Sequence, residues 1–279
     1  MEIFKHKVDP FFIPTELGGL FALHYSAEPS EKKQCILHIP AFAEEMNKAR
    51  HMVAIQSQAF AEQGYAVLVL DLWGTGDSEG EFCEATWDIW QSNISSAIQW
   101  LESKGYESIS LWGLRLGALL AMDYLNQNNC NVERLICWQP VLNGELFVSQ
   151  FLRLRVAAAM ITKNKSKEKT VDLKKQILEG EAVEVSGYLL NPELIIPMLS
   201  VQTKNMTLHN VKKLHILELT LGSETEESYV TTQWVKQMTQ QGIDVTYDVI
   251  NSPPFWVTQE ISESANLITL SSKKVSEWI

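Results

Sequence analysis

The amino-acid sequence predicts an α/β fold in which a mostly parallel sheet has helices on both faces. Short apolar runs ending in Gly-, Pro- or Asp-containing loops alternate with segments whose apolar residues are three and four apart. This alternation is typical of strand–helix–strand units. Several of the runs are continuously apolar, as in parallel strands that are covered on both faces. The chain of 279 residues, 46% of them hydrophobic, has enough apolar material for one large core.

The elements in the first part of the chain follow from local signals. Residues 3–27 contain two extended segments separated by a Gly-Gly pair, which favours a hairpin. A buried strand is predicted at 34–39, and Pro40 ends it. The helix that follows ends near Gly64, and the apolar run 65–70 (YAVLVL) predicts the next strand. A Gly/Asp-rich loop then leads into a helix with Trp and Ile at helical spacing.

The segment 111–121 (LWGLRLGALLA) predicts a strand, a sharp turn and a helix. Gly113 and Gly117 flank Arg115 with the spacing of the nucleophile elbow G-x-S-x-G, in which the glycines make room for a strained turn. The central residue of that motif is a nucleophilic serine. Here it is an arginine, and a guanidinium is not a nucleophile.

Beyond the turn, the alternation continues to a buried strand at 134–138 and then breaks between about residues 144 and 210. It resumes with a strand, a helix, a strand and a terminal helix. The sequence therefore predicts one α/β core, 1–143 and 211–279, interrupted by a helical cap, 144–210.

Charge and composition argue against several classes of function. The net charge is −11 and the pI is about 5.1, so we expect no nucleic-acid partner and no stable association with an anionic membrane. The first residues lack the uninterrupted apolar core of a signal peptide, which indicates a cytoplasmic protein. The four cysteines are not spaced as metal ligands. We expect no metal and no cofactor.

An acyl-transfer hydrolase needs a nucleophile, a base, an orienting acid and an oxyanion hole. The base should be a histidine after the last strand, but 252–258 is SPPFWVT, and the last histidine of the chain is His215 in a predicted strand. Glu224 and Glu226 stand where the acid is expected, and we interpret them as charges at a helix start. The sequence therefore does not predict a Ser-His-Asp mechanism.

The chain resembles the α/β-hydrolase superfamily, and more closely the exosortase A system-associated hydrolase 2 family. The similarity extends over nearly the whole chain and lies in the segments PAFAEEMNKAR, DLWGTGDSEGEF, LWGLRLGALLA, WQPVLNGELFVSQFLRLR, VEVSGYLL and PPFW. The resemblance implies an eight-stranded α/β-hydrolase fold with a cap. It also implies a bacterial gene neighbourhood for exopolysaccharide production and protein sorting, with a possible protein partner in that pathway.

The same turn predicts a site for an anion. If Arg115 stands at the start of a helix, the backbone N–H of Leu116 and one from the loop Ala41–Ala43 still form an oxyanion-hole geometry. We expect a small anionic, glycan or acyl ligand there. The candidate binding residues are Ala41, Phe42, Glu44, Trp73, Arg115, Leu116, Gln139, Arg153 and Trp256.

Alternatives remain open at this point. Arg115 could pair internally with Glu44, Glu45 or Asp77 and fill a vestigial site. The protein could be an esterase, thioesterase or acyltransferase with unconventional catalytic groups, or an interaction protein with a closed pocket. Of the four tryptophans at strand ends, Trp112 and Trp138 are expected in the core, whereas Trp73 and Trp256, in loops, are better ligand contacts.

Overall fold

A computed structural model describes residues 7–27, 33–161, 168–222 and 226–278. Its main element is an eight-stranded sheet with the spatial order β1-β2-β4-β3-β5-β6-β9-β10. The strands of this sheet are β1 (Val8–Pro14), β2 (Gly19–Tyr25), β3 (Gln34–Ile39), β4 (Ala66–Leu70), β5 (Ser108–Leu114), β6 (Val132–Trp138), β9 (Lys213–Thr220) and β10 (Asp244–Asn251).

The strand pairing brings the loops of interest to one edge of the sheet. β1 and β2 form an antiparallel hairpin, and β2 pairs antiparallel with β4. From β4 to β10 all neighbours are parallel. The carboxyl ends of β3, β5, β6, β9 and β10 therefore lie along one edge, which is where open α/β sheets bind ligands.

Eight helices accompany the strands in the described part of the chain. They are α1 (Glu44–Glu62), α2 (Trp87–Ser103), α3 (Leu116–Gln127), α4 (Gly144–Ile161), α5 (Thr170–Leu178), α6 (Pro192–Ser200), α7 (Tyr229–Gln240) and α8 (Ala265–Ser276). Within the described ranges, no helix is both long and apolar enough to cross a lipid bilayer.

Alternate side chains of each strand enter two separate cores. Cys35, Leu37 and Ile39 of β3 belong to the same core as buried residues of α2, α3 and α7, whereas Ile36 belongs to the core on the other face, with residues of α1 and α8. The central strands are buried on both faces, which explains their continuous apolar sequences. The structure is thus the α/β-hydrolase fold that the sequence predicts, with a mostly parallel eight-stranded sheet and helices on both faces.

The segment between β6 and β9 contains α4, α5 and α6 and also a small hairpin of β7 (Val183–Val185) and β8 (Tyr188–Leu190). The hairpin adds β structure to a region for which the sequence predicts helices. Its turn residues Ser186 and Gly187 both have positive φ, 52° and 85°, as a two-residue turn between strands requires. The turn brings Ser186 and Tyr188 to the edge of the sheet where α1 begins.

Candidate functional site

Arg115 occupies the apex of the turn between β5 and α3. Its backbone has φ 55° and ψ −118°, a conformation that is energetically unfavourable for any residue other than glycine. The flanking glycines allow it: a Cβ on Gly117 would lie 2.3 Å from the carbonyl oxygens of Ile39 and Pro40, and one on Gly113 would lie 2.4 Å from the Ala118 Cα. The chain therefore forms a nucleophile elbow in geometry, with an arginine at its apex.

The loop before α1 faces this elbow. Ala43, at the start of α1, also has positive φ, 52°, so this loop turns sharply as well. The backbone N–H groups of Phe42 and Leu116 donate no hydrogen bond within the described residues. Leu116 begins α3, and the first N–H groups of a helix have no acceptor inside it. The sequence predicts the N–H of Leu116 and one N–H of this loop as oxyanion-hole donors.

The Arg115 guanidinium has two partners. Its Nε and Nη2 both donate to a single oxygen of Glu45, Oε1, at 3.3 Å, and both side chains are 19% exposed. On another side it lies 5.5 Å from the centroid of the Trp256 ring, within cation–π range. The sequence suggests three carboxylates as internal partners of Arg115, namely Glu44, Glu45 and Asp77. In the structure Arg115 pairs with Glu45.

The environment of Glu45 is unusual for a carboxylate. Burial raises the pKa of the Glu45 carboxyl, and the neighbouring Arg115 opposes that shift. Oε1 accepts both guanidinium bonds, whereas Oε2 is buried and has no hydrogen-bond partner among the described residues. One of the two carboxylate oxygens of Glu45 thus lacks a hydrogen-bond partner in this part of the structure.

Arg115 and Glu45 lie at the floor of a cleft of about 440 Å³. The cleft is bounded by α1, the elbow, α4, the β7–β8 turn and the loop after β10. Its walls are mainly aromatic and aliphatic, and its charged groups come from α1 and the elbow. The lining residues are Glu44, Glu45, Lys48, Arg115, Phe147, Gln150, Phe151, Leu154, Ser186, Tyr188, Trp256 and Val257.

Three of the predicted site residues line this cleft: Arg115, Glu44 and Trp256. Ala41, Phe42 and Leu116 are buried and do not line this cleft. The Phe42 ring packs edge-on against Phe147 and Phe151, and so supports the wall of the cleft.

Three other predicted residues point elsewhere. Trp73 is buried, and its indole fills the space above Gly18 and Gly80. The Gln139 side chain accepts the backbone N–H of Leu219 at 2.6 Å and so bridges the ends of β6 and β9. Arg153, on α4, is exposed and is not among the residues that line the cleft.

The two core tryptophans pack against each other. Trp112 and Trp138 form an edge-on pair with centroids 4.7 Å apart. His215 is also a core residue: Trp278 donates to its Nε2, and its Nδ1 lies 2.5 Å from the Thr246 hydroxyl. Burial lowers the pKa of His215 to about 4. His215 is not placed to act as a catalytic base, because both of its ring nitrogens take part in hydrogen bonds.

Several cleft residues were not predicted from the sequence. Lys48, Phe147, Gln150, Phe151, Tyr188 and Val257 belong to this set. The helical spacing of Phe147, Phe151 and Leu154 marks one face of α4, a pattern that predicts an apolar contact but not its partner. Of the two glutamates expected at the acid position, Glu224 lies outside the described residues and Glu226 is exposed ahead of α7.

No group of three or more His, Cys, Asp or Glu side chains is placed to hold a metal ion in the described part of the chain. The cleft contains the carboxylates of Glu44 and Glu45, and its donors include the Arg115 guanidinium, the Lys48 ammonium, the Gln150 amide and the Ser186 and Tyr188 hydroxyls. These donors bind anions and hydrogen-bond acceptors.

A family model described as serine aminopeptidase, S33, matches residues 30–215, more than half of the chain. The chain belongs to this family. The match makes it a member of the α/β-hydrolase superfamily, in agreement with the sheet and the elbow. No curated protein sequence matches this S33-family chain.

Several solved structures are similar to this family member over nearly the whole chain. Est1E from Butyrivibrio proteoclasticus, in a structure with bound ferulic acid, is 17% identical with a TM-score of 0.65, over 96% of this chain and 97% of that one. XC6422 from Xanthomonas campestris, described as a serine hydrolase without lid, is 12% identical with a TM-score of 0.58, over 100% and 98%. The thioesterase domain from the curacin biosynthetic pathway is 16% identical with a TM-score of 0.56, over 95% and 99%. At these identities the likeness establishes the fold alone.

Proposed function

We propose that this chain binds, without hydrolysing it, a small ligand with an anionic head and an acyl, aromatic or glycan body. One observation carries the proposal: the apex of the nucleophile elbow, at the floor of an open cleft, holds a guanidinium instead of a hydroxyl. An arginine there cannot attack a carbonyl, but it can bind a carboxylate or a phosphate.

The residue opposite the elbow supports the same conclusion. In a serine hydrolase of this fold a histidine stands after the last strand and accepts the proton of the serine. Here that loop contributes Trp256, whose ring contacts Arg115. No histidine lines the described cleft.

The shape and lining of the cleft favour an amphipathic ligand. About 440 Å³ accommodates a medium-chain acyl group or a phenolic ring. Arg115 would hold an anionic head at one end. Phe147, Phe151 and Leu154 would contact an apolar body. The ferulic acid in the Est1E structure is a carboxylate of this class, which is a reason to include it among the probes.

We further propose that this binding serves an exosortase- and exopolysaccharide-linked pathway in the bacterial cytoplasm, with a possible protein partner there. The support is the resemblance of the segments AFAEEMNKAR and WGLRLGALLA to the exosortase A system-associated hydrolase 2 family. Both segments lie in the elements that form the floor of the cleft.

The test is isothermal titration calorimetry with octanoate, ferulate and glucuronate. Arg115→Ala should weaken binding of the best probe about 10- to 100-fold, the usual range for a hydrogen bond to a charged group. Arg153→Ala is the matched control, because it removes an exposed arginine from α4 outside the cleft, and it should leave the affinity unchanged. Equal affinity of the Arg115→Ala variant and the wild type would contradict the proposal.

A second candidate is a hydrolase that uses Glu45 as a general base. It is favoured by the unpartnered, buried Oε2 atom and by the raised pKa of the Glu45 carboxyl, which suit a group that takes a proton from water. Turnover of p-nitrophenyl esters or acyl-CoA that Glu45→Gln abolishes would establish this activity. Absence of turnover by the wild type excludes it for those substrates.

A further inference from the structure

The contact between Glu45 and Arg115 is an incomplete ion pair. A well-formed carboxylate–guanidinium pair uses two oxygens and two nitrogens in parallel. Here both bonds converge on Oε1 at 3.3 Å, Oε2 has no partner among the described residues, and Nη1 of Arg115 donates to no protein atom there. Glu45 thus occupies one edge of the guanidinium and leaves the other edge available to a ligand.

Few other charged groups around the cleft can balance the negative charge of Glu45. Around the cleft, the ionisable groups besides Arg115 are Glu44, Lys48 and Tyr188. The Lys48 ammonium lies 3.3 Å from the Val257 carbonyl, and the Tyr188 hydroxyl donates to Glu44 at 3.3 Å. The residues that α4 and the loop after β10 contribute to the cleft do not ionise: Phe147, Gln150, Phe151, Leu154, Trp256 and Val257.

We propose that a carboxylate ligand joins Glu45 on the Arg115 guanidinium and that Glu45 takes up one proton when it does. This inference rests on the proposed function. Two carboxylates that share one cation, here a guanidinium that is only 19% exposed, repel each other, and one of them is neutralised by a proton. The ligand's carboxylate retains the charge, because it accepts from the open edge of Arg115.

The proton goes to Glu45 for a structural reason. Its Oε2 is buried and unpaired, so protonation there breaks no hydrogen bond. Burial already raises the pKa of this carboxyl in the free protein. The balance is one ligand carboxylate and one proton taken from solvent, with a neutral Glu45 in the complex. The site thereby selects monoanionic carboxylic acids with an apolar body, and it binds them more tightly as the pH falls.

The experiment is calorimetric titration of octanoate, with octanamide as its neutral counterpart, into the wild type and Glu45→Gln. Titrations between about pH 6 and pH 8, in buffers of different ionisation enthalpy, give the protons taken up per ligand. For the wild type we expect uptake approaching one proton and an affinity that falls up to about tenfold per pH unit. Glu45→Gln should bind octanoate more tightly at the upper pH, with no proton uptake and no pH dependence. Glu102→Gln removes an equal charge from the exposed surface of α2 and controls for net charge.

The outcomes separate this inference from the proposed function. If octanoate binds to Glu45→Gln but not to the wild type, the inference is supported, because the ionised Glu45 then excludes the ligand from the wild type at that pH. Binding to both proteins with equal affinity, no proton uptake and no pH slope would overturn the inference and leave the proposed function standing. Binding to neither protein would overturn both for carboxylates. Circular dichroism of Glu45→Gln verifies that the variant is folded.

Discussion

The Arg115 guanidinium lies 5.5 Å from the centroid of the Trp256 ring. These two residues come from the elbow and from the loop after the last strand, the two places from which this fold supplies a serine and a histidine in its hydrolases. The geometry that would bring a nucleophile and its base together here brings together a cation and an aromatic face. We propose that this pair serves to recognise a ligand and not to hydrolyse it.

Trp256 should matter for both binding and stability. It is 6% exposed and also packs edge-on against Phe255. Trp256→Ala should destabilise the fold by about 3–5 kcal/mol, as large-to-small changes at buried aromatics do. Trp256→Phe retains an aromatic face and should lose only part of the cation–π contact, about 0.5–2 kcal/mol. Urea unfolding and octanoate titration measure the two effects, and unaltered affinity of a folded Trp256→Ala variant would remove Trp256 from the site.

Serine at the apex should not restore a hydrolase. Arg115→Ser supplies a hydroxyl, but no imidazole lines the described cleft to accept its proton. We expect no p-nitrophenyl butyrate hydrolysis above background and no acyl adduct by intact-mass spectrometry. Steady turnover by Arg115→Ser, or a covalent adduct on it, would show that a base is present after all.

Replacing Gly117 by alanine should strongly destabilise the fold. An added Cβ would lie 2.3 Å from two carbonyl oxygens, and backbone atoms cannot yield as a flexible side chain can. We expect Gly117→Ala to lose several kcal/mol of unfolding free energy, of the order of a strained buried site. Gly105→Ala is the comparison, because a Cβ there meets nothing within 4 Å and only its φ of +86° opposes the change, at about 1 kcal/mol. Similar losses for the two variants would contradict the close approach at the elbow.

Two buried histidines should make the fold sensitive to acid. Burial lowers the pKa of His38 to about 3 and that of His215 to about 4, from the ordinary histidine value of 6.5. Below 6.5 the unfolded chain binds protons that the folded chain does not. The free energy of unfolding should therefore decline as the pH falls from about 6.5 towards 4.

The variant His215→Gln tests this assignment. At neutral pH it should be less stable than the wild type, because it loses the imidazole ring that stacks on Trp278 and bonds to both Trp278 and Thr246. Its decline on acidification should be shallower, because one of the two titrating groups is gone. His209→Gln, at an exposed position, serves as the control. Identical pH slopes for His215→Gln and the wild type, from urea unfolding at each pH, would contradict the role given to His215.

Much of the fold follows from the sequence because its signals are local. Continuous apolar runs identify the buried strands, and the spacing of Gly113 and Gly117 around Arg115 identifies the elbow. The glycines are diagnostic because a Cβ at either one would collide with backbone. By contrast, the two strands within residues 183–190 have only three residues each, too few to show a distinct period, and this hairpin was not predicted.

The site was predicted less completely, because position at a strand end does not give side-chain direction. Trp73 and Gln139 do follow strands at the correct edge, yet one fills the space over two glycines and the other bonds to Leu219. Likewise, the sequence gives no reason to choose between Glu44 and Glu45 as the partner of Arg115. Successive residues on a helix point about 100° apart, so the start of α1 at Glu44, after the positive-φ Ala43, decides that Glu45 reaches Arg115.

The most direct test of the account is a crystal structure with octanoate labelled by bromine on its terminal carbon. The anomalous signal locates the tail, and the density locates the head. We predict the carboxylate at about 3 Å from the Arg115 guanidinium, and the bromine among Phe147, Phe151 and Leu154. A ligand bound outside this cleft, or one in the cleft with its carboxylate away from Arg115, would contradict the claim that the elbow arginine is an anion receptor.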